Sequence, residues 1–347
     1  MSLTISQEKL NLFKAIEEKI KTYETIVVFH HIRPDGDCLG SQFGMKNLIL
    51  ENFPKKKVLT VGNSKGSFSY LDFKMDEIKN KPIKNSLAII VDANFKERLE
   101  CRELLDNKIF TDVIRIDHHP NDDDLYASIR WVEPEAPAAA QQVAELALGL
   151  NWKINELAAT YLYLGIYTDS VRLTTNSTSS KTMYIVSELW KAGAKKDLIH
   201  TEMAKKTLQD IRVNAFIQQN MQIEKQVVWF YFTLEDQKKM GILDPLQGNR
   251  PSTLASIDDN KIWVFFTQEK ENQIRCEFRS NGACVRNVAV KWGGGGHHRA
   301  SGAQIHNSAY IPLIIKDCQA EVLNTAEYEY SKLKKVKKIK SYLDNGE

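Results

Sequence analysis

Six of the eight histidines in this 347-residue chain fall in three adjacent pairs, each inside a polar knot. The knots are His30-His31-Ile32-Arg33-Pro34-Asp35-Gly36-Asp37, Asp117-His118-His119-Pro120 and Gly293-Gly294-Gly295-Gly296-His297-His298. Scattered core histidines do not cluster like this. Imidazoles beside carboxylates in short loops suggest metal ions. A thiolate-free set of nitrogen and oxygen donors suits manganese best and admits magnesium, cobalt or zinc. A glycine run lets backbone amides approach an anion closely. Together the knots predict metal-assisted chemistry on a phosphate ester. Two cations sharing an aspartate such as Asp92 would acidify a water between them and offset charge developing on phosphorus.

Each feature also has a plainer reading. Asp35 and Asp37 alone would serve as turn and helix-cap residues. His118 alone would be an ordinary surface or core histidine, Asp169 alone a cap, and the four glycines a loose linker. Their placement favours chemistry. Val28-Phe29 precedes His30, Ile90-Val91 precedes Asp92, and Arg115-Ile116 precedes Asp117. In a parallel α/β sheet the carboxyl ends of the strands lie on one edge, where ligands bind. Three loops would therefore deliver histidine, aspartate and Asp-His-His to one place. Asp169, closing the helical stretch Gly165-Ile166-Tyr167-Thr168-Asp169, can join them.

The elements that must position these groups are legible as runs. Thr25–Phe29, Lys57–Val61, Leu87–Val91 and Asp112–Ile116 are short, nearly continuous apolar stretches. That pattern fits a parallel sheet covered on both faces. Cys38–Glu51, Ala138–Leu150 and Asn155–Tyr167 have helical patterns, so the first part reads as a doubly wound α/β domain over residues 1–190. A helix around Asp197–Ile223 reads as a connector spanning 191–225. A smaller α/β domain over 226–323 follows, with strands near Val227–Phe232, Ile262–Phe266 and Ile274–Arg279. Residues 324–347 form a Lys-rich C-terminal helix or tail.

Composition narrows the classes. A hydrophobic fraction of 43% supports real cores, and no apolar run is long enough to span a bilayer. Five cysteines without C-x-x-C spacing argue against a disulfide framework and a zinc ribbon, and point to the reducing cytoplasm. A net charge of +3 argues against sequence-blind binding of long nucleic acid. The basic run 331–340 reads as a solvated helix, with a phosphate-attracting tail as the other reading.

The motifs His31-x-x-Pro34-Asp35-x-Asp37, Asp92 after a strand, Asp117-His118-His119 and Gly165-Ile166-x-Thr168-Asp169 resemble the four motifs of the DHH phosphoesterase superfamily. The segment Gly294-Gly295-Gly296-His297-x-x-Ala300-Ser301-Gly302, with Arg279-Ser280 upstream, resembles the accompanying DHHA1 domain. Length and layout resemble the NrnA-type subgroup of bifunctional oligoribonucleases and pAp phosphatases. RecJ exonucleases are larger, and family II pyrophosphatases lack the glycine-rich histidine motif.

The resemblance implies two divalent cations: one on His31, Asp35 and Asp92, the other on Asp37, Asp92, His118 and Asp169. It implies that Asp117 orients a histidine and that His119 touches the scissile phosphate. It further implies that Arg279, Ser280, Gly294, Gly295, Gly296 and His297 grip a nucleotide phosphate. Ala93 and Ser170-Val171 depart from the family's common residues, but no expected ligand is lost. Cys38 packs as a small helix residue. The implied activity is hydrolysis of short oligoribonucleotides to 5′-mononucleotides and of 3′-phosphoadenosine 5′-phosphate (pAp) to AMP, in the cytoplasm. The implied partners are short RNA and nucleotides, with neither membrane nor long duplex, and a homodimer is compatible. Two alternatives are cleavage of a linear or cyclic dinucleotide messenger (pApA or c-di-AMP type) and a non-catalytic nucleotide sensor.

Overall fold

A computed structural model of the chain describes residues 3–119 and 124–326. Pro120 and the basic run 331–340 lie outside the described residues, as does most of 324–347. The chain divides into two compact units, Met1–Lys205 and Lys206–Glu347.

The first unit opens with α1 (Gln7–Thr22), whose N-cap Ser6 accepts from the Lys9 N–H. The elements that follow are β1 (Thr25–Phe29), α2 (Gly36–Asn52), β2 (Lys57–Thr60), β3 (Ser86–Val91), α3 (Arg102–Asp106) and β4 (Asp112–Asp117). Then come β5 (Ile129–Val132), α4 (Ala139–Gly149), α5 (Glu156–Asp169), α6 (Ser180–Lys191) and α7 (Lys196–Ala204). The strands form one parallel sheet in the order β2-β1-β3-β4-β5.

Alternate strand residues supply its two cores, as the two-residue period of a strand requires. Ile26, Val28, Ile89, Val91, Ile114 and Ile116 pack against Leu39, Phe43, Val143 and Leu162 of the long helices. Val27, Phe29, Ala88 and Ile90 pack under Leu99, Leu104, Ile109 and Leu125, where short segments do the covering. The expected parallel α/β architecture is therefore present. The edge strand β5 carries no comparable apolar run: within it only Trp131 is buried and Arg130 is exposed.

The second unit contains α8 (Leu208–Asn220), β6 (Gln222–Glu224), β7 (Val227–Phe232), α9 (Leu234–Lys239) and α10 (Pro245–Gly248). It continues with β8 (Ile262–Lys270), β9 (Gln273–Ser280), α11 (Val285–Lys291), β10 (Gly295–Gly296) and β11 (Ala300–Ile305). Residues 311–326 are helical. The sheet order is β10-β11-β9-β8-β7-β6, with β7 and β8 parallel and the other pairs antiparallel.

One continuous helix over Asp197–Ile223 does not form. Thr207 starts a new helix there: its hydroxyl accepts from the Asp210 N–H at 3.0 Å, while Asp210 accepts from the Thr207 N–H at 2.9 Å. That reciprocal capping separates α7 from α8 and was readable as Thr-x-x-Asp. Among the described residues no helix is long and apolar enough to cross a membrane.

Candidate metal centre and phosphate-binding loop

In the first unit the carboxyl ends of β1, β3 and β4 and the C-terminus of α5 bring the six expected ligands together. His31 follows β1. Its Nδ1 donates to the Ile32 carbonyl at 2.8 Å, which leaves Nε2 without a proton in the neutral ring. That Nε2 lies 3.4 Å from Asp35 Oδ2 and 3.3 Å from Asp92 Oδ2. His118 repeats the arrangement after β4. Its Nδ1 donates to the Ala136 carbonyl at 3.1 Å, and its Nε2 lies 3.7 Å from Asp37, 3.4 Å from Asp92 and 3.3 Å from Asp169.

Each carboxylate is aimed by backbone. Asp35 is the N-cap of α2, and its Oδ1 accepts from the N–H groups of Asp37 and Cys38 at 3.0 Å each. Capping thus occupies one oxygen while the other faces His31, so the cap and ligand readings are both satisfied. Asp37 is buried against the start of α4 and accepts from the Ala139 and Ala140 N–H groups at 2.6 and 2.8 Å. The positive end of a helix suits an anion there. Asp92 turns away from β3 with φ +56°, a left-handed conformation that aspartate tolerates. Its Oδ1 is buried and accepts no hydrogen bond.

Electrostatics define what the cluster requires. Burial pushes the Asp37 carboxyl well up, and Asp92 and Asp169 add repulsion. Burial, with repulsion from Asp92 and Asp35 only partly offset by His118, pushes Asp169 up to about 7. Burial also works to raise Asp92, but His118 and His31 outweigh it and hold that carboxyl low. Both imidazoles are raised: burial opposes their charge, yet Asp35 and Asp92 dominate at His31 and Asp92 at His118. Carboxylates and imidazole lone pairs crowded like this need positive charge between them. The orphaned Asp92 Oδ1 and the oxygen–nitrogen donor set fit divalent metal ions. Cys38 Sγ also lies within reach of the His31 and Asp35 ligand atoms. Burial pushes its thiol up to about 12 despite His31, and it donates to the Asp35 carbonyl at 3.6 Å.

Asp117 and His119 lie beside this cluster. His119 Nδ1 donates to Asp117 Oδ1 at 2.8 Å and lies 3.5 Å from Asp92.

In the second unit, Arg279 is the penultimate residue of β9 and lies opposite Ala300 of β11. Its guanidinium donates to the Phe278 carbonyl at 2.9 Å and pairs with Glu277 at 3.0 Å. The Ser280 hydroxyl is buried and donates to the Ala283 carbonyl at 2.5 Å. The glycine run is an ordered hairpin: Gly295 and Gly296 pair with Gly302 and Ser301. A Cβ at Gly294 would sit 2.0 Å from the Gly302 carbonyl oxygen. The exposed His297 is anchored by its N–H to Ala300 and by its carbonyl, which accepts from Ser301 Oγ at 2.7 Å. Arg279 and Ser280 on β9, and the glycines and His297 at β10, thus flank β11 on its two sides.

Two positioning features were not read from the sequence. Gly36, Gly40 and Gly44 line α2 where it meets α5; a Cβ would meet Thr168 at 2.3 Å, the Tyr161 carbonyl oxygen at 2.5 Å and Leu162 at 2.5 Å respectively. Their four-residue spacing was the available signal. The Ala139 and Ala140 amides that hold Asp37 leave no side-chain signature at all.

The family model for the DHH family, N-terminal domain, matches residues 25–166, and that for the DHHA1 domain matches 226–327. The chain is 45% identical over 306 residues to the bifunctional oligoribonuclease and PAP phosphatase NrnA of Mycoplasma pneumoniae, covering 87% of this chain and 94% of that protein. It is 32% identical to the protein of that name from Bacillus subtilis, covering 86% and 95%. An exopolyphosphatase-related protein from Bacteroides fragilis has the same fold, with a TM-score of 0.80 at 20% identity over 92% of this chain and 98% of that one. Two domain matches in this order and near-full-length kinship at these identities make the chain a member of the DHH–DHHA1 family, of the NrnA type.

Proposed function

We propose that the chain is a metal-dependent phosphoesterase that hydrolyses short oligoribonucleotides to 5′-mononucleotides and pAp to AMP in the cytoplasm. The observation that carries this is the pair of imidazole Nε2 atoms, each locked by its Nδ1 on a carbonyl and each facing carboxylates, with Asp92 common to both. That arrangement supports two cations, manganese best. His31, Asp35 and Asp92 would hold one, and Asp37, Asp92, His118 and Asp169 the other. When bound, the cations supply Lewis acidity for a water nucleophile and for the charge on phosphorus.

The chain's own groups supply orientation. Asp117 holds His119 through Nδ1, so that Nε2 serves a phosphate oxygen and, when protonated, passes that proton to the leaving oxygen. Arg279, Gly294, Gly295, Gly296 and His297 bind a terminal phosphate, with Ser280 shaping the β9 end beside them. Relatives named as oligoribonuclease and PAP phosphatase support this substrate class. A full donor set supports catalysis over sensing.

The test is turnover with manganese on pAp, pApA, cyclic dinucleotides, RNA of graded length and pyrophosphate. Turnover of pAp and of RNA a few nucleotides long, releasing 5′-mononucleotides, is expected. Turnover confined to dinucleotide messengers, or a rate that rises with RNA length, would overturn the reading.

A further inference from the structure

We infer that Arg115 is a positioning residue for this chemistry, one buried guanidinium that sets both the turn carrying Asp92 and the ring of His119. The inference rests on the function proposed above. Arg115 lies in the middle of β4 and is fully buried, the largest such side chain among the described residues. Its Nε–H donates to the Ala93 carbonyl at 2.8 Å. Its Nη2 pairs with the carboxylate of Asp117, which is equally buried. The two residues are two apart on a strand and therefore share a face. From Asp117 the chain of contacts continues: Oδ1 accepts from His119 Nδ1 at 2.8 Å and from the His119 N–H at 3.3 Å.

The Ala93 contact acts in the other direction. Asp92 reaches its site through a left-handed turn, with its own N–H on the Ile116 carbonyl at 3.0 Å. Clamping the next carbonyl, Ala93, fixes that turn. A single guanidinium thus joins the loop after β3 to the histidine after β4, at the point where Asp92 and His119 approach to 3.5 Å.

Net stability is a weak reason for a buried ion pair. A buried ion pair is often matched or exceeded by apolar residues of similar volume. What an apolar replacement cannot supply is direction. A guanidinium offers donors on separate nitrogens in a fixed plane, so it can serve a carbonyl and a carboxylate at once. A lysine offers one point charge.

The experiment is a double-mutant cycle on the manganese-loaded full chain with Arg115→Lys, His119→Ala and the double variant. Readouts are kcat and KM on a 5′-phosphorylated diribonucleotide, bound metal content and the melting temperature. Arg115→Lys should fold and keep its metal content, with unchanged KM and kcat lower by about ten- to a hundredfold, as for other outer-shell losses. The double variant should be slower than His119→Ala by less than the full Arg115→Lys factor, because the arm through His119 is already lost and only the arm through the Asp92 turn remains. Losses that multiply, or full kcat in Arg115→Lys, would overturn the inference. The same cycle with Arg115→Gln gives an independent reading with the same two outcomes. Full activity in His119→Ala would instead remove the role given to His119 in the proposed function, a failure separable from that of Arg115.

Discussion

His31 and His118 meet the same carboxylate from two sides: Nε2 of His31 lies 3.3 Å from Asp92 Oδ2, and Nε2 of His118 lies 3.4 Å from Asp92 Oδ1. Among the described residues, Asp92 is thus the one carboxylate common to both histidines. Asp92→Asn keeps the shape and removes the charge. The variant should fold, as circular dichroism would show, and lose turnover by more than about a thousandfold, beyond the roughly 10²–10³ of a single lost hydrogen-bond donor. Metal content measured on the same sample should fall. Full activity in the variant, or in excess chelator, would count against any two-cation site.

Proton competition should govern metal affinity. Asp169 sits at about 7, raised by burial and then by Asp92 and Asp35 against the pull of His118. Asp37 is raised in the same direction. Above the Asp169 value that carboxylate is already ionised, whereas below it a cation must displace a proton. Apparent affinity should therefore weaken as pH falls from 8 to 5, by up to about tenfold per pH unit for each proton displaced. Calorimetry in buffers of different ionisation heat would detect the released protons. A pH-independent affinity would refute the competition.

The metal-free protein should show the opposite trend in stability. Folded-state pKa values above the unfolded ones, at Asp169, Asp37, His31 and His118, mean that the folded state holds more protons at these four groups, against the one that burial makes His30 give up by lowering it to about 4. Such stability is present at low pH and is lost as pH rises through the folded values. For Asp169 that loss runs from the ordinary carboxylate range to about 7. Melting of the metal-free chain should be higher at pH 5.5 than at pH 8, and added manganese should raise it most at pH 8. A metal-free melting temperature that increases with pH over this range would contradict the charge assignment.

Gly40 tests how the helices deliver the ligands. A Cβ there would meet the Tyr161 carbonyl oxygen at 2.5 Å and the Gly165 nitrogen at 2.8 Å, both backbone and unable to swing aside. Gly40→Ala should push α2 from α5 and separate Asp37 from Asp169. Overpacking of this kind costs about 1–3 kcal/mol. Chemical denaturation should register that loss, together with weaker metal binding. Unchanged metal affinity would mean that the α2–α5 approach does not set the site.

Why these groups were legible and others were not follows from their kind. His31, Asp92 and His118 each follow a short β-branched run that fits a buried strand, so strand reading and ligand reading reinforced one another. Trp131 on β5 had no such run, because an edge strand needs only one buried residue here. The α7–α8 break was written in Thr207 and Asp210 but was hidden by the helical pattern on both sides. Arg115 carries no signal in the sequence beyond being a charged residue within a strand. Only the folded sheet shows that it points inward to Asp117, because the opposite face of β4, with Ile114 and Ile116, belongs to the main core. Asp37's partners are backbone amides, which any residue at the start of α4 would offer.

The last prediction separates metal binding from phosphate binding. The six proposed ligands lie in the first unit, whereas Arg279 on β9 and His297 at β10 flank β11 in the second. Arg279 is held by the Phe278 carbonyl and by Glu277, which together orient its planar fork, a shape suited to a phosphate. His297 is exposed while its backbone is pinned on both sides by Ala300 and Ser301, so its ring is displayed by an ordered hairpin. Arg279→Ala or His297→Ala should leave metal content and melting temperature unchanged, because neither residue supports a core. Each should weaken pAp binding by the value of a charge-assisted hydrogen bond, about 1.5–3 kcal/mol, or roughly ten- to a hundredfold in affinity. Equilibrium binding of pAp, beside metal analysis of the same preparation, reads both quantities. Normal pAp affinity in either variant would refute the assignment of phosphate binding to these strands, and loss of metal would refute its independence from the centre in the first unit.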